Sequence, residues 1–288
     1  MGKVYHLGLT KKKIRNTSYA ILTGDPERVP NIAELFSMNY GEIAYNREFR
    51  SFLVEQSKTP IVIISTGIGG SSASIVMDEL ATIGVKTFIR IGTSGSIQDY
   101  IKTGDVIITT GSVRLDGASL HYAPIEYPAI ANYEVINALV NAAKATNVKF
   151  FTGITVSTAT FYPGQERYDS FSSYVINNLK GSKDEWKKLN ALNYEMESAT
   201  ILTLANVFGL KAGCVTGVVA EREINEKITR NALIQGEENS IKVGVEAIKN
   251  LITLQRTDYV NTSGRNLKKY KDLKLAKYII NWLRYFNR

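Results

Sequence analysis

The chain has one cysteine, Cys214, and only two histidines, His6 and His121, in 288 residues. A single thiol forms no intrachain disulfide, and one thiol with two imidazoles supplies no recognisable zinc cluster, so a disulfide scaffold and a transition-metal centre are both excluded. No apolar run approaches the roughly 18 residues that a membrane helix needs. A secretory apolar region is missing too, and the expectation is a soluble protein of the reducing cytoplasm.

At 44% hydrophobic, the chain can bury a large core, and α/β folds commonly reach this length as one domain. Its net charge of +8 is unevenly spread. Residues 254–288 hold nine basic groups against Asp258 and Asp272, leaving 26 basic and 25 acidic groups in the first 253 residues. The body therefore shows no global preference for nucleic acid, and the basicity belongs to the tail. The expected division is a domain over 1–253 and a basic amphipathic tail over 254–288. In that tail Tyr270, Leu275, Tyr278, Ile279, Trp282 and Phe286 recur near helical spacing between lysines. Such a helix suits acidic lipid, RNA, a partner or its own body.

Segments alternate between strand and helix, which implies a mostly parallel sheet with ligands in the crevice beyond the strand ends. A strand over 19–23 meets Gly24-Asp25-Pro26-Glu27-Arg28, where helix-start amides and an arginine make an anion site. A strand over 61–65 runs into Thr66-Gly67-Ile68-Gly69-Gly70-Ser71-Ser72 and then a helical pattern. This glycine loop is neither the dinucleotide fingerprint, since Ser72 stands at the third small position, nor a Walker loop, since no Gly-Lys-Ser/Thr follows. The strand over 87–91 carries Arg90 among apolar residues, which is costly unless the guanidinium meets an anion or an ion-pair partner. A third strand begins at Gly104, and residues 113–128 read as a long loop in which His121 is structural. An amphipathic helix spans 133–146 and a strand 149–157. The turn Phe161-Tyr162-Pro163-Gly164-Gln165-Glu166-Arg167 groups a ring, an amide and a guanidinium, which suits a planar heterocycle. A last strand spans 211–219, and a helix over about 238–251 closes the body.

Asn193-Tyr194-Glu195-Met196-Glu197-Ser198-Ala199 places two carboxylates before a helix over 198–207 with few charges. Two readings stand: a helix start, with acid in the first turn and Ser198 as cap, or a carboxylate that binds the adjacent hydroxyls of a polyol such as ribose.

Six motifs, in order, resemble the hexameric nucleoside phosphorylases, and among them the uridine phosphorylases of bacteria. They are Gly24-Asp25-Pro26-x-Arg28, Ser65-Thr66-Gly67-Ile68-Gly69-Gly70, Arg90-Ile91-Gly92-Thr93, Val113-Arg114-Leu115-Asp116-Gly117-Ala118-Ser119, Phe161 to Asp169, and Asn193 to Ser198. The resemblance covers about residues 4–252. It implies a single-domain α/β fold, a three-layer α/β/α sandwich with a central mixed β-sheet. It also implies a pentosyltransferase of pyrimidine salvage that cleaves uridine or deoxyuridine with inorganic phosphate, with no organic cofactor. The implied phosphate site is Gly24, Arg28, Arg90 and Thr93, with Arg47 from a neighbouring subunit of a homohexamer built as a trimer of dimers. Ribose falls to Met196 and Glu197, with His6 reaching in from the adjacent subunit, and uracil to Phe161, Gln165, Arg167 and Arg222. Arg28, Arg90, Glu197, Arg167 and Gln165 carry catalysis, and Glu48, Ile68 and Ser72 match a site for a monovalent cation, potassium. Glu221 stands where uridine-specific relatives usually have asparagine, so purine phosphorolysis is the competing substrate class. From another class, the alternative is a nucleoside-binding protein whose tail contacts RNA or membrane.

Overall fold

The computed structural model describes residues 2–36, 41–224 and 228–262. From residue 263 onward the basic tail lies outside the described residues. The first buried strand, β1 (Tyr19–Thr23), leads through the Gly24 turn to a short helix, α1 (Arg28–Ala33). A hairpin follows, β2 (Gly41–Asn46) and β3 (Phe49–Gln56), then β4 (Thr59–Ser65), α2 (Gly70–Thr82), β5 (Thr87–Ser96) and β6 (Val106–Leu115). After a two-residue strand, β7 (Ala129–Ile130), come α3 (Tyr133–Ala145), β8 (Phe150–Thr158), α4 (Ser182–Lys188), β9 (Asn193–Glu195), α5 (Ser198–Val207), β10 (Lys211–Glu221) and α6 (Arg230–Thr262).

The sheet is mixed. β1 lies parallel between β4 and β5, and β5 also pairs parallel with β10. Beyond them the pairings β10–β6, β6–β8, β8–β9 and β9–β5 return to β5, so this half closes into a ring while β3 and β2 extend the other edge. Period-two alternation sends side chains to two separate cores. Ile21, Ile61, Ile63 and Ile89 pack on one face with α1, α3 and α6, whereas Ala20, Leu22, Val62, Ile64 and Phe88 pack on the other with α2 and α5. Three α/β/α layers result, as the resemblance implied.

Several segments differ from the sequence reading, among them α4 and β9, neither of which was read as an element. Residues 113–115 continue β6 instead of starting a loop, because Val113, Arg114 and Leu115 pair with Val156, Ser157 and Thr158. The following residues fold around the buried Arg114 guanidinium, which donates to the carbonyls of Ser119, Ala123 and Tyr127, with a 3-10 turn at Ala118–His121. The last helix starts at Arg230 rather than near 238. The β2–β3 hairpin was not read at all.

Helix α6 is seated on β10 by backbone approach. A Cβ on Gly217 would lie 1.8 Å from the Gly236 carbonyl oxygen. Nearby, Asn239 donates to the Gly104 carbonyl at 2.8 Å. Gly217→Ala must push α6 away from the sheet, and overpacking of this kind costs about 3 kcal/mol. A lowered urea midpoint with an unchanged slope is the expected result.

Candidate active site

A cavity of about 660 Å³ opens where β1, β4, β5 and β10 end, with Gly24, Gly67, Thr93 and Ala220 in its wall. It lies at the carboxyl ends of the parallel strands, as expected for an open α/β sheet. The fold brings Gly24, Arg28, Glu48, Ile68, Arg90, Thr93, Phe161, Gln165, Arg167, Met196 and Glu197 to this one cavity.

Its centre is a buried charge cluster. Arg90 enters from the middle of β5 and is 4% exposed. Its Nε donates to Glu195 Oε2 at 3.0 Å, and its Nη2 donates to Glu197 Oε2. Gly92 makes room for this, since a Cβ there would sit 2.8 Å from Arg90 Nη2. Glu195 serves the fold as well as the charge. It accepts from the backbone N–H groups of Glu197 and Ser198 and from Ser198 Oγ, thereby capping α5. Ser198, expected as the cap, instead donates its hydroxyl to Glu195 and accepts from the Ser112 hydroxyl. Thus the two readings of this stretch divide between its acids: Glu195 starts the helix and Glu197 faces the cavity.

Glu197 Oε1 also accepts from Gly69 N at 2.5 Å, at the start of α2. Burial pushes this carboxyl above the usual range and Glu195 adds to the shift, while Arg90 and the Gly69 amide act against both. Arg90 itself is held charged, because the fields of Glu197 and Glu195 outweigh its burial. Two buried donors on this side, Arg90 Nη1 and Arg28 Nε, have no hydrogen-bond partner among the described residues. Orphaned guanidinium N–H groups beside the Gly24 turn and Thr93 make a receptor for an anion.

The opposite end of the cavity is planar and polar. Arg167 lies over the Phe161 ring, 4.2 Å from its centroid, and its Nε donates to Gln165 Oε1 at 3.3 Å. Glu166 between them is left-handed at φ 53° and turns outward, where it accepts from Gly181 N and Lys183 N at 2.5 and 2.7 Å. That outward turn leaves Gln165 and Arg167 both facing inward, each 3% exposed.

Four expected residues stand off the cavity wall. Arg222 is buried behind it, with its guanidinium 5.0 Å from the centroid of Tyr194, a wall residue. Arg47 is exposed at the tip of the β2–β3 hairpin. His6 is tied to α2, its Nδ1 2.7 Å from Glu79 Oε1. Ser72 donates to Glu48 Oε1 at 3.0 Å, so two of the three residues expected to hold a cation meet directly, and Ile68 is 77% exposed. Glu221 turns away from the cavity, accepting from Thr103 N at 3.0 Å and Lys102 Nζ at 3.1 Å. The Thr103 amide is the main cause of its lowered pKa. His121 is exposed and apart from the site. Among the described residues, no three His, Cys, Asp or Glu side chains gather as a metal cluster, and no helix is long and apolar enough to cross a membrane. The sequence reading missed Asp25, Ser94 and Tyr194, which also line the wall. Asp25 and Tyr194 lie inside motifs already singled out, whereas Ser94 lies just after one.

Arg90→Leu leaves two buried carboxylates facing one another without a cation, which costs about 3–5 kcal/mol. Without the Arg90 charge that opposes it, the already raised pKa of Glu197 rises further in the folded state, so the loss is full at neutral pH and shrinks as pH falls through that raised value. Urea midpoints of the wild type and variant between pH 7 and pH 5 should converge.

A family model described as the phosphorylase superfamily matches residues 18–252. The chain is 50% identical over 249 residues to the uridine phosphorylase of Klebsiella aerogenes, covering 86% of this chain and 98% of that one. It is 42% identical over 248 residues to the uridine phosphorylase of Thermococcus kodakarensis, covering 86% of each. A guanosine phosphorylase of Halorubrum lacusprofundi is 37% identical over 199 residues, which is 69% of this chain and 76% of that protein.

Proposed function

Since the chain belongs to the phosphorylase superfamily, we propose that it cleaves uridine, and deoxyuridine, with inorganic phosphate to give uracil and the pentose 1-phosphate. The observation that carries this reading is one cavity with unpaired guanidinium donors at one end, a buried carboxylate at the centre, and a ring, amide and guanidinium at the other. The extent of identity to proteins named uridine phosphorylase supports it.

Phosphate is assigned to the Gly24 turn, Arg28, Arg90 and Thr93, ribose to Met196 and Glu197, and uracil to Phe161, Gln165 and Arg167. As the glycosidic bond lengthens, positive charge grows on the sugar and negative charge on the base. Phosphate oxygens face the sugar cation, Glu197 orients the ribose hydroxyls, and Arg167 with Gln165 donates to the leaving uracil. One fixed donor of this kind contributes about 3 kcal/mol to the barrier reduction. Arg222 supports this end from behind Tyr194.

His6 and Arg47 lie off their own subunit's cavity, which suits service to a neighbour's site in a homohexamer, a trimer of dimers. Glu48 and Ser72, with Ile68, offer the oxygen donors that a hard monovalent cation such as potassium takes, and the Glu48–Ser72 contact fits that role. The catalytic domain is taken to be 1–253, in the cytoplasm, with the tail over 254–288 an accessory.

Purine phosphorolysis drew on Glu221, but its carboxylate is engaged by Thr103 and Lys102 outside the cavity wall. Glu221→Gln should therefore leave the uridine-to-inosine turnover ratio within about twofold, since only a surface-side pair is lost. Purified protein should turn over uridine faster than inosine, and only with phosphate; release of uracil without phosphate would overturn phosphorolysis. Glu197→Gln should fold and lose about 100-fold or more in kcat, the scale of one transition-state contact.

A further inference from the structure

We propose that Glu237, in the second turn of α6, is a positioning residue that sets the Arg28 guanidinium for phosphate. The inference rests on the phosphorolytic reading of the cavity. Glu237 Oε1 stands 2.5 Å from Arg28 Nη2, and the two side chains are only 24% and 15% exposed. Arg28 lines the cavity, yet its Nε has no hydrogen-bond partner among the described residues. Glu237 therefore holds Nη2 in place, and the adjacent Nε keeps a buried donor to give.

An arginine has a long, rotamer-rich side chain, so an unheld guanidinium loses entropy each time phosphate binds. A carboxylate that fixes one edge removes that loss beforehand. It also weakens the positive field, and the balance favours positioning because the carboxylate itself is immobile. Gly236 packs its carbonyl on Gly217, a Cβ on Gly104 would meet the Gln235 side chain at 2.6 Å, and Asn239 donates to the Gly104 carbonyl. Residues 235–239 are thus located by backbone approach to β10 and its neighbouring turn. Ile228, just ahead of α6, lines the same cavity. Seating of α6 and orientation of Arg28 become one event, linking phosphate affinity to the closing helix.

The neighbouring Glu238 is exposed and provides the control. Glu237→Gln should raise the KM for phosphate about tenfold, the scale of one hydrogen bond between charged groups. The KM for uridine and the kcat at saturating phosphate should stay within about twofold, the pattern of lost ground-state binding. Glu238→Gln should change none of these. Inorganic phosphate should raise the melting temperature of the wild type more than that of Glu237→Gln. Should Glu237→Gln fail to fold, Glu237→Asp keeps the charge one methylene further back and should show the same split at smaller size. In an Arg28→Lys background the effect of Glu237→Gln should largely vanish, because Glu237 acts through the guanidinium.

An unchanged or lowered phosphate KM would overturn the proposal, as would an equal rise in both KM values, which marks general loosening. If the wild type consumed no phosphate at all, the reading of the cavity itself would fall instead.

Discussion

Arg90 carries a full positive charge into the middle of a buried strand, and much of the molecule is arranged to make that tolerable. Desolvating a guanidinium costs several kcal/mol, which only close, well-oriented anions recover. Glu195 and Glu197 supply them, and each is drawn into a second duty. Glu195 uses its remaining acceptor capacity to start α5, and Glu197 uses its own to take the first amide of the α2 turn. The middle of β5, the end of β9 and the starts of α2 and α5 therefore converge on one arginine. Gly92 is required at the same place, because a side chain there meets the guanidinium. Even Cys214, beside Arg90 in the β10 register, is held as a thiol, its pKa pushed up to about 12 by burial and by the Glu195 charge.

The same economy explains how acid is kept from the Gln165–Arg167 end of the cavity. Three carboxylates sit next in sequence to residues of that end: Glu166, Glu221 and Glu223. Each is turned outward to fixed donors, Glu166 to the start of α4, Glu221 to Thr103, and Glu223 to Lys183 and Lys187. Burial opposes the ionisation of Glu166 and Glu223, but the donors prevail and all three pKa values are lowered. What faces inward is neutral or cationic, Gln165 and Arg167, which suits a base that leaves as an anion.

Much of this was legible in the chain because it rests on local signals. The strand over 19–23, the helix over 198–207 and the glycine turns follow from short-range pattern, and the structure gives the first two the same bounds. Arg90 stood out because a lone charge in a β-branched run contradicts its surroundings. What escaped notice rests on distant partners. Residues 113–115 are strand only because β8 lies alongside, and the β2–β3 hairpin has little of its own periodicity to announce it, with β2 largely exposed. Glu237 sits in a polar stretch of helix where one more glutamate carries no signal. Its meaning comes from Arg28, more than two hundred residues earlier. The division of labour between Glu195 and Glu197 was likewise invisible, since spacing alone makes them equivalent.

The cavity also has a dependence on what surrounds it. Its Gly24–Arg28 end is bounded by α1, the Gly67–Ile68 turn and Ile228 ahead of α6, and the polar groups there are set by side-chain ties. Arg28 leans on Glu237, and the Gly67 turn leans on the Glu48–Ser72 pair, for a Cβ on Gly67 would press on Glu48. The Gln165–Arg167 end, by contrast, is wedged by buried packing around Tyr194 and Arg222. On the proposed reading this asymmetry has a chemical sense. The leaving base needs donors fixed before the bond breaks, because reorganisation at that moment adds to the barrier. Phosphate must instead enter and a sugar phosphate must leave by the other side, where ties that hold an arginine from one edge preserve its geometry without sealing the way.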